Sequence, residues 1–400
     1  MRPLPVAASS TRRDAPPGFL YFLTLWLVGN ALRIPILAVP PVIPDIHVDL
    51  DLSATGIGIL GGLPVLLLAA AALPGSLMVS RLGVVRAVAV GLVLTATAGA
   101  LRGAVPSAAW LYATTILMAA GIAVIQPAAP ALVRAWTPER IAFGTAVYSN
   151  GLLVGGTLPV LLTIPIVLPA VHHSWQAELA VWSFPVLGIA ALVVFAGSDK
   201  ASVPIEPSRW WPNWKDPLVW QLGLTFGSVN AMYFGSNTFL PDFLTLHGRP
   251  DLISAALTAV SFSQVVASLL LLFATSRLER RAWPFVAFGV MAVASVIGIA
   301  STASAWTVFW AAVLGFASAG VLVLVLALPA LLRPAAEVAP VSAAMMTVSY
   351  SLGMAAAVLG GIAWDVTGLV AAAFLPIGLT TLLLFVVPPA IRFDQPAKAD

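Results

Sequence analysis

The sequence predicts an all-α membrane protein of twelve transmembrane helices, arranged as two pseudo-symmetric six-helix bundles. Three observations carry that prediction. The chain is 60% hydrophobic and only 9% charged, with a mean hydropathy of +1.00, whereas a soluble domain carries about 25% charged residues. Its apolar residues fall into twelve runs, each near the ~20 residues that cross a bilayer as a helix. Landmarks of the first half recur in the second at a nearly constant offset.

At the start of the chain, residues 1–17 are polar and proline-bearing and read as a cytoplasmic arm. The first run, 19–39, is too long for a signal-peptide core, and no small-residue cleavage site comes after it, so it reads as a retained span. Further spans fall at 54–78, 84–102, 107–133, 141–168 and 176–196, giving an N-terminal bundle over 18–196. Residues 197–216, GSDKASVPIEPSRWWPNWKD, form the longest internal polar stretch and read as a cytoplasmic linker lying partly on the membrane surface. Spans at 217–241, 252–275, 284–302, 305–332, 338–363 and 369–391 give a C-terminal bundle over 217–391, and a tail, 392–400, ends the chain. Run length and the lack of strict alternation favour helices over barrel strands.

The halves are related. Pro44-Asp45 corresponds to Pro241-Asp242, and Ser80-Arg81-Leu82 to Ser276-Arg277-Leu278. Pro130 to Arg134, PALVR, corresponds to Pro329 to Arg333, PALLR, and Glu139 to Glu337, all at offsets of 196–199 residues. A duplicated six-helix unit is the signature of transporters built from two bundles.

Charge sets the topology. With both termini cytoplasmic, 16 of the 19 Lys and Arg lie inside, Arg102 and Arg249 lie outside, and Arg33 is in the membrane. That bias is what the positive-inside rule requires of a multi-pass protein of the inner membrane. The basic residues are scattered through short loops, which excludes a nucleic-acid face. The chain has no cysteine, so disulfides, thiolate metal sites and a cysteine nucleophile are excluded. No phosphate loop and no acid–base constellation lies at depth, so neither an enzyme nor a cofactor is expected. The expected partners are the bilayer and a small-molecule substrate, and the expected state is a monomer.

Polar residues inside the spans mark the candidate site. A cation at membrane depth costs at least ~2.5–3.5 kcal/mol, so Arg33 is expected to face a cavity, a partner or a substrate. The alternative is that it snorkels outward or braces a helix break at Pro35. Trp26, Asn30 and Arg33 share one face of span one. The offset carries Arg33 onto Asn230 in span seven, where Asn230, Tyr233 and Asn237 again share a face. The two stripes are expected to line one central cavity, although asparagines also serve as glue between spans. Gln126 in span four, Tyr148 and Asn150 in span five, Gln264 in span eight and Tyr350 in span eleven are further candidates, each with a packing alternative. Tyr148 and Asn150 are two apart, so at most one points inward. The pairs Gly61-Gly62, Gly155-Gly156 and Gly360-Gly361 read as close helix contacts. No Asp, Glu or His falls in the middle of a span.

The loop after span two, running from Gly75 through Ser80, Arg81 and Gly83 to Arg86, resembles the gating loop of the major facilitator superfamily. Gly75, Arg81, Gly83 and Arg86 match the family pattern, and Ser80 stands where the family places an aspartate. Within that superfamily, Asn30-Ala31-Leu32-Arg33-Ile34-Pro35 with Val39 to Ile46, and Gly121 to Pro130, resemble segments of the cyanate and nitroimidazole porters. The Asn–Leu–Arg–Pro order is altered here by inserted residues. The resemblance implies alternating access, a substrate role for Arg33 and Gln126, and small anions or polar heterocycles as cargo. A drug-type exporter of neutral or lipophilic molecules is the alternative function.

Overall fold

The computed structural model describes residues 18–70, 78, 81–197, 212–272, 278 and 280–393. The arm, most of the linker, the end of the tail, and Gly75, Ser80, Ser276 and Arg277 lie outside those residues. The described residues form helices and no strand. Ten helices are long and apolar enough to cross a bilayer. Helices also stand at the positions of spans two and seven: Ala54–Ala70, with 17 residues, and an unbroken helical run through Pro217–Asn230, Ala231–Gly235 and Ser236–Leu246. Twelve spans result.

Local chemistry sets their ends. Span seven starts at Asp216, whose carboxylate accepts the Leu218 N–H at 3.0 Å, with Pro217 in the first turn. Arg333, at the end of span ten (Ala305–Leu332), donates to the same carboxylate and ties the two spans together. Span ten opens with a capping box between Ser304 and Thr307. Span three (Val84–Leu101) begins after Gly83, whose φ of 81° lies in the left-handed region that glycine adopts without a Cβ clash.

The packing repeats between halves. Span one packs on five (Ile141–Leu162) as seven packs on eleven (Ala335–Thr367). Spans three and six (Trp175–Ala196) pair as nine (Trp283–Ser301) and twelve (Leu375–Val386) do, and four (Ala108–Trp136) meets two and three as ten meets eight (Ile253–Leu272) and nine. The halves meet where two packs on eleven and five on eight. Glycines make these crossings close. A Cβ on Gly151 would fall 2.1 Å from the Trp26 carbonyl, and one on Gly361 would fall 2.3 Å from that of Ala54. Small residues at crossings let helices in lipid gain van der Waals contact where hydrophobic drive is absent.

Links between the halves gather at one end. His47 Nδ1 lies 2.8 Å from an Asp242 carboxylate oxygen. Asp365 accepts the N–H groups of Ala54 and Thr55 at 2.9 and 2.8 Å. Ser254 donates to the Val160 carbonyl at 3.2 Å. At the opposite end, which carries Arg134, Arg140 and Arg333, no hydrogen bond or ion pair joins the halves among the described residues. The protein is therefore sealed at the His47 end.

Candidate functional site

Between the halves lies a cavity of about 80 Å³. Arg33 enters it from span one, Leu152, Leu153 and Gly156 from span five, and Phe226, Val229, Asn230, Tyr233 and Phe234 from span seven. Ser261 and Gln264 of span eight, Leu322 of span ten and Tyr350 of span eleven complete the wall. Arg33 is the charged residue of this lining. Its Cζ sits 6.0 Å from the Tyr233 ring centroid and 5.7 Å from that of Phe234. A cation over two ring faces is attracted by their quadrupoles. Asn230 donates to the Ser349 hydroxyl at 2.6 Å and Gln264 to the Ser318 hydroxyl at 3.2 Å, which fixes both amides in the wall.

Tyr233 and Phe234 stand in a π turn, Ala231–Gly235, that interrupts span seven. Such a turn holds an extra residue and rotates the rest of the helix about its axis. This is why Asn237 leaves the face of Asn230 and Tyr233. Its amide donates to the Tyr233 carbonyl at 2.7 Å, and the side chain lines a different cavity, closer to the sealed end. The equal spacing read from the sequence assumes an uninterrupted α-helix.

Other candidates also lie off the central wall. Asn30 is 1% exposed and donates to the Trp26 carbonyl at 2.9 Å. It packs against span five, where a Cβ on Gly155 would fall 2.5 Å from the Asn30 Cα. Trp26 donates from its indole to the exposed Asn150 amide oxygen at 2.9 Å, linking spans one and five. Tyr148 is half-buried in the same crossing, with its carbonyl 2.3 Å from where a Gly29 Cβ would be. Close glycine packing brings spans one and five together here, with Trp26 and Asn150 joined across the crossing, while the Tyr148 ring stays in electrostatic reach of Arg33 and Tyr350. Gln126 donates to the Tyr350 hydroxyl at 3.3 Å, joining the halves just behind the wall. Arg81 and Arg86 are exposed at the start of span three, on either side of Gly83. Gly75 lies outside the described residues.

Sequence reasoning alone misses Phe226, Phe234 and Ser261. Ser261 precedes Gln264 by three and Phe226 precedes Asn230 by four, so helical spacing from the other candidates is the available signal. It also puts Arg102 in an outer loop, whereas the structure buries that residue completely.

A family model described as Major Facilitator Superfamily matches residues 18–357. The cyanate transport protein CynX of Escherichia coli K12 is 27% identical over 322 residues, covering 78% of this chain and 82% of that one. The 2-nitroimidazole transporter of the same organism is 24% identical over 365 residues, covering 90% and 91%. Among solved structures, a bacterial homologue of the human lysosomal transporter Spinster, inward-facing and unoccupied, is similar with a TM-score of 0.71 at 18% identity, covering 92% of this chain and 95% of that one. That last likeness concerns the fold. Twelve spans, a twice-used packing pattern, a cavity between the halves and the family match agree: this chain is a multi-pass membrane transporter and not an enzyme, and it belongs to the Major Facilitator Superfamily.

Proposed function

We propose that the chain moves a small anion or small polar heterocycle across the cell's inner membrane by alternating access, with Arg33 as the charged group of the central site. One observation carries the reading. The Arg33 guanidinium faces the cavity and meets two aromatic rings, but no carboxylate or hydrogen-bond acceptor, among the described residues. Arginine keeps its charge in proteins, and a partly buried charge without a counter-ion is costly. An anionic or polarised cargo supplies that partner and can take two of its N–H groups at once. Tyr233 and Phe234 then offer faces for a flat cargo, while Asn230, Gln264 and Tyr350 supply hydrogen bonds. The cargoes for which the two relatives are named, cyanate and 2-nitroimidazole, are of this size and polarity. A neutral lipophilic cargo leaves the guanidinium unpaired.

The positive-inside bias favours cytoplasmic termini. The sealed end is then the outer face, and this state opens inward, with Arg81 and Arg86 at the cytoplasmic gate. The test is thermal unfolding of the purified monomeric protein with cyanate, acetate and 2-nitroimidazole added separately. A ligand of the folded state raises the midpoint. At least one of these raises it in wild type and raises it clearly less in Arg33→Gln. Equal rises in both proteins overturn the reading.

A further inference from the structure

A second cavity, of about 20 Å³, lies between the halves on the sealed side of the central one. Its wall comes from both halves: Ile36 to Ile43 after the middle of span one, Leu60 to Pro64 of span two, Arg102, Thr115 of span four, and Phe234 to Thr238 of span seven. Phe234 belongs to both linings, so this cavity adjoins the one at Arg33 across that residue.

The unusual member is Arg102. Its side chain is 0% exposed. Its Nε donates to the Gly99 carbonyl at 3.2 Å, but both terminal nitrogens are buried without a partner. Glu178 is the buried carboxylate in electrostatic reach, and it does not close the gap. One of its oxygens accepts the Thr163 hydroxyl at 3.0 Å, and the other is also buried without a partner. Thr115 is 1% exposed with an unpartnered hydroxyl, and the Asn237 amide oxygen is unpartnered as well. So a permanent cation, a free hydroxyl and a free amide oxygen meet at one small void. Buried polar groups in native proteins are paired, and an exception points to something that occupies the space. A void of this size holds a water, which needs roughly 10–15 Å³ on the same measure. Glu178 offers the guanidinium a counter-charge without a hydrogen bond, so the two terminal nitrogens stay open to a ligand.

We propose that Arg102 and Thr115 form a second anion station on the transport path, occluded in this state and adjoining the Arg33 site across Phe234. The anion takes the two terminal N–H groups of Arg102 and the Thr115 hydroxyl, and the Asn237 oxygen accepts from an N–H of the cargo or from a water that accompanies it. Opening of the His47 end parts spans one, two and seven, which help to close this void, so cargo that passes the parted His47–Asp242 and Asp365 links from that side meets this station before Arg33. The placement on a path rests on the transport reading above, whereas the binding itself does not.

The test is titration calorimetry of the purified full-length protein with sodium thiocyanate, a stable triatomic anion. Wild type binds two equivalents. Arg33→Gln binds one, and Thr115→Val in that background weakens the remaining site about tenfold, the effect of losing one hydrogen bond to an anion. Thr115→Val is the safe variant, because it removes an oxygen that has no partner in the fold. Arg102→Gln in the same background abolishes binding. If Arg33→Gln binds none, or its site survives both Thr115→Val and Arg102→Gln, the second station is overturned while the central reading stands. If wild type binds one equivalent that only Arg102→Gln removes, the station stands and the central reading fails.

Discussion

Removing Asp365 opens the sealed end. This carboxylate, on span eleven, accepts the N–H groups of Ala54 and Thr55 at the start of span two at 2.9 and 2.8 Å, and it also takes the Thr55 hydroxyl. It thereby ties one half to the other across the sealed end of the path. A hydrogen bond to a charged group contributes ~1.5–3 kcal/mol when buried. Asp365 is exposed, and solvent screening reduces the sum for the cluster to about 1–2 kcal/mol. The bonds exist only in the sealed state, so their loss moves the equilibrium between states by about five- to thirty-fold. The chain has no cysteine, which makes a clean assay available. Val39, 6% exposed on the wall of the second cavity, on the sealed side, is replaced by cysteine in otherwise wild-type protein. Its reaction rate with a membrane-impermeant maleimide added outside intact cells is then measured with and without Asp365→Ala. The rate scales with the open population, so Asp365→Ala raises it by the same factor. An unchanged rate means that this cluster does not hold the seal.

The packing yields two further outcomes. Gly83→Ala forces a side chain into the left-handed region at φ 81°, at about 1–2 kcal/mol, and lowers the thermal midpoint of the detergent-solubilised protein; an unshifted midpoint contradicts the role given to this turn. Asn30→Ala, in the crossing of spans one and five, leaves the KM for transport within about twofold, whereas Asn230→Ala, which takes a hydrogen-bonding amide out of the cavity wall, raises it about tenfold. Equal effects of the two substitutions in vesicle uptake contradict the division of these asparagines between packing and site.

The sequence is legible where the chemistry is local or periodic. Apolar runs fix the spans because the bilayer sets their length, and the offset pairing Pro44-Asp45 with Pro241-Asp242 anticipates the repeated packing of spans one on five and seven on eleven. Arg33, Asn230 and Tyr233 are legible because a polar side chain in an apolar run must turn away from lipid. Turning away from lipid does not specify a destination. Asn30 gives its amide to the Trp26 carbonyl of its own helix, whose backbone is pressed against Gly155 of span five. Asn237 shifts because a π turn intervenes, and no single residue type announces such a turn. Arg102 comes just after the last apolar residue of span three and so reads as a loop cation; its burial arises only when spans one, two, four and seven close over it.

The central claim is that the Arg33 charge binds the cargo. Counterflow uptake of labelled cyanate and 2-nitroimidazole into proteoliposomes, compared between wild type, Arg33→Lys and Arg33→Gln at matched incorporation, tests it most directly. The account predicts that Arg33→Gln loses about ten- to one-hundred-fold in uptake, the effect of losing a charge-assisted contact, and that Arg33→Lys retains part of it. Uptake by Arg33→Gln within twofold of wild type for the transported compound would contradict the account.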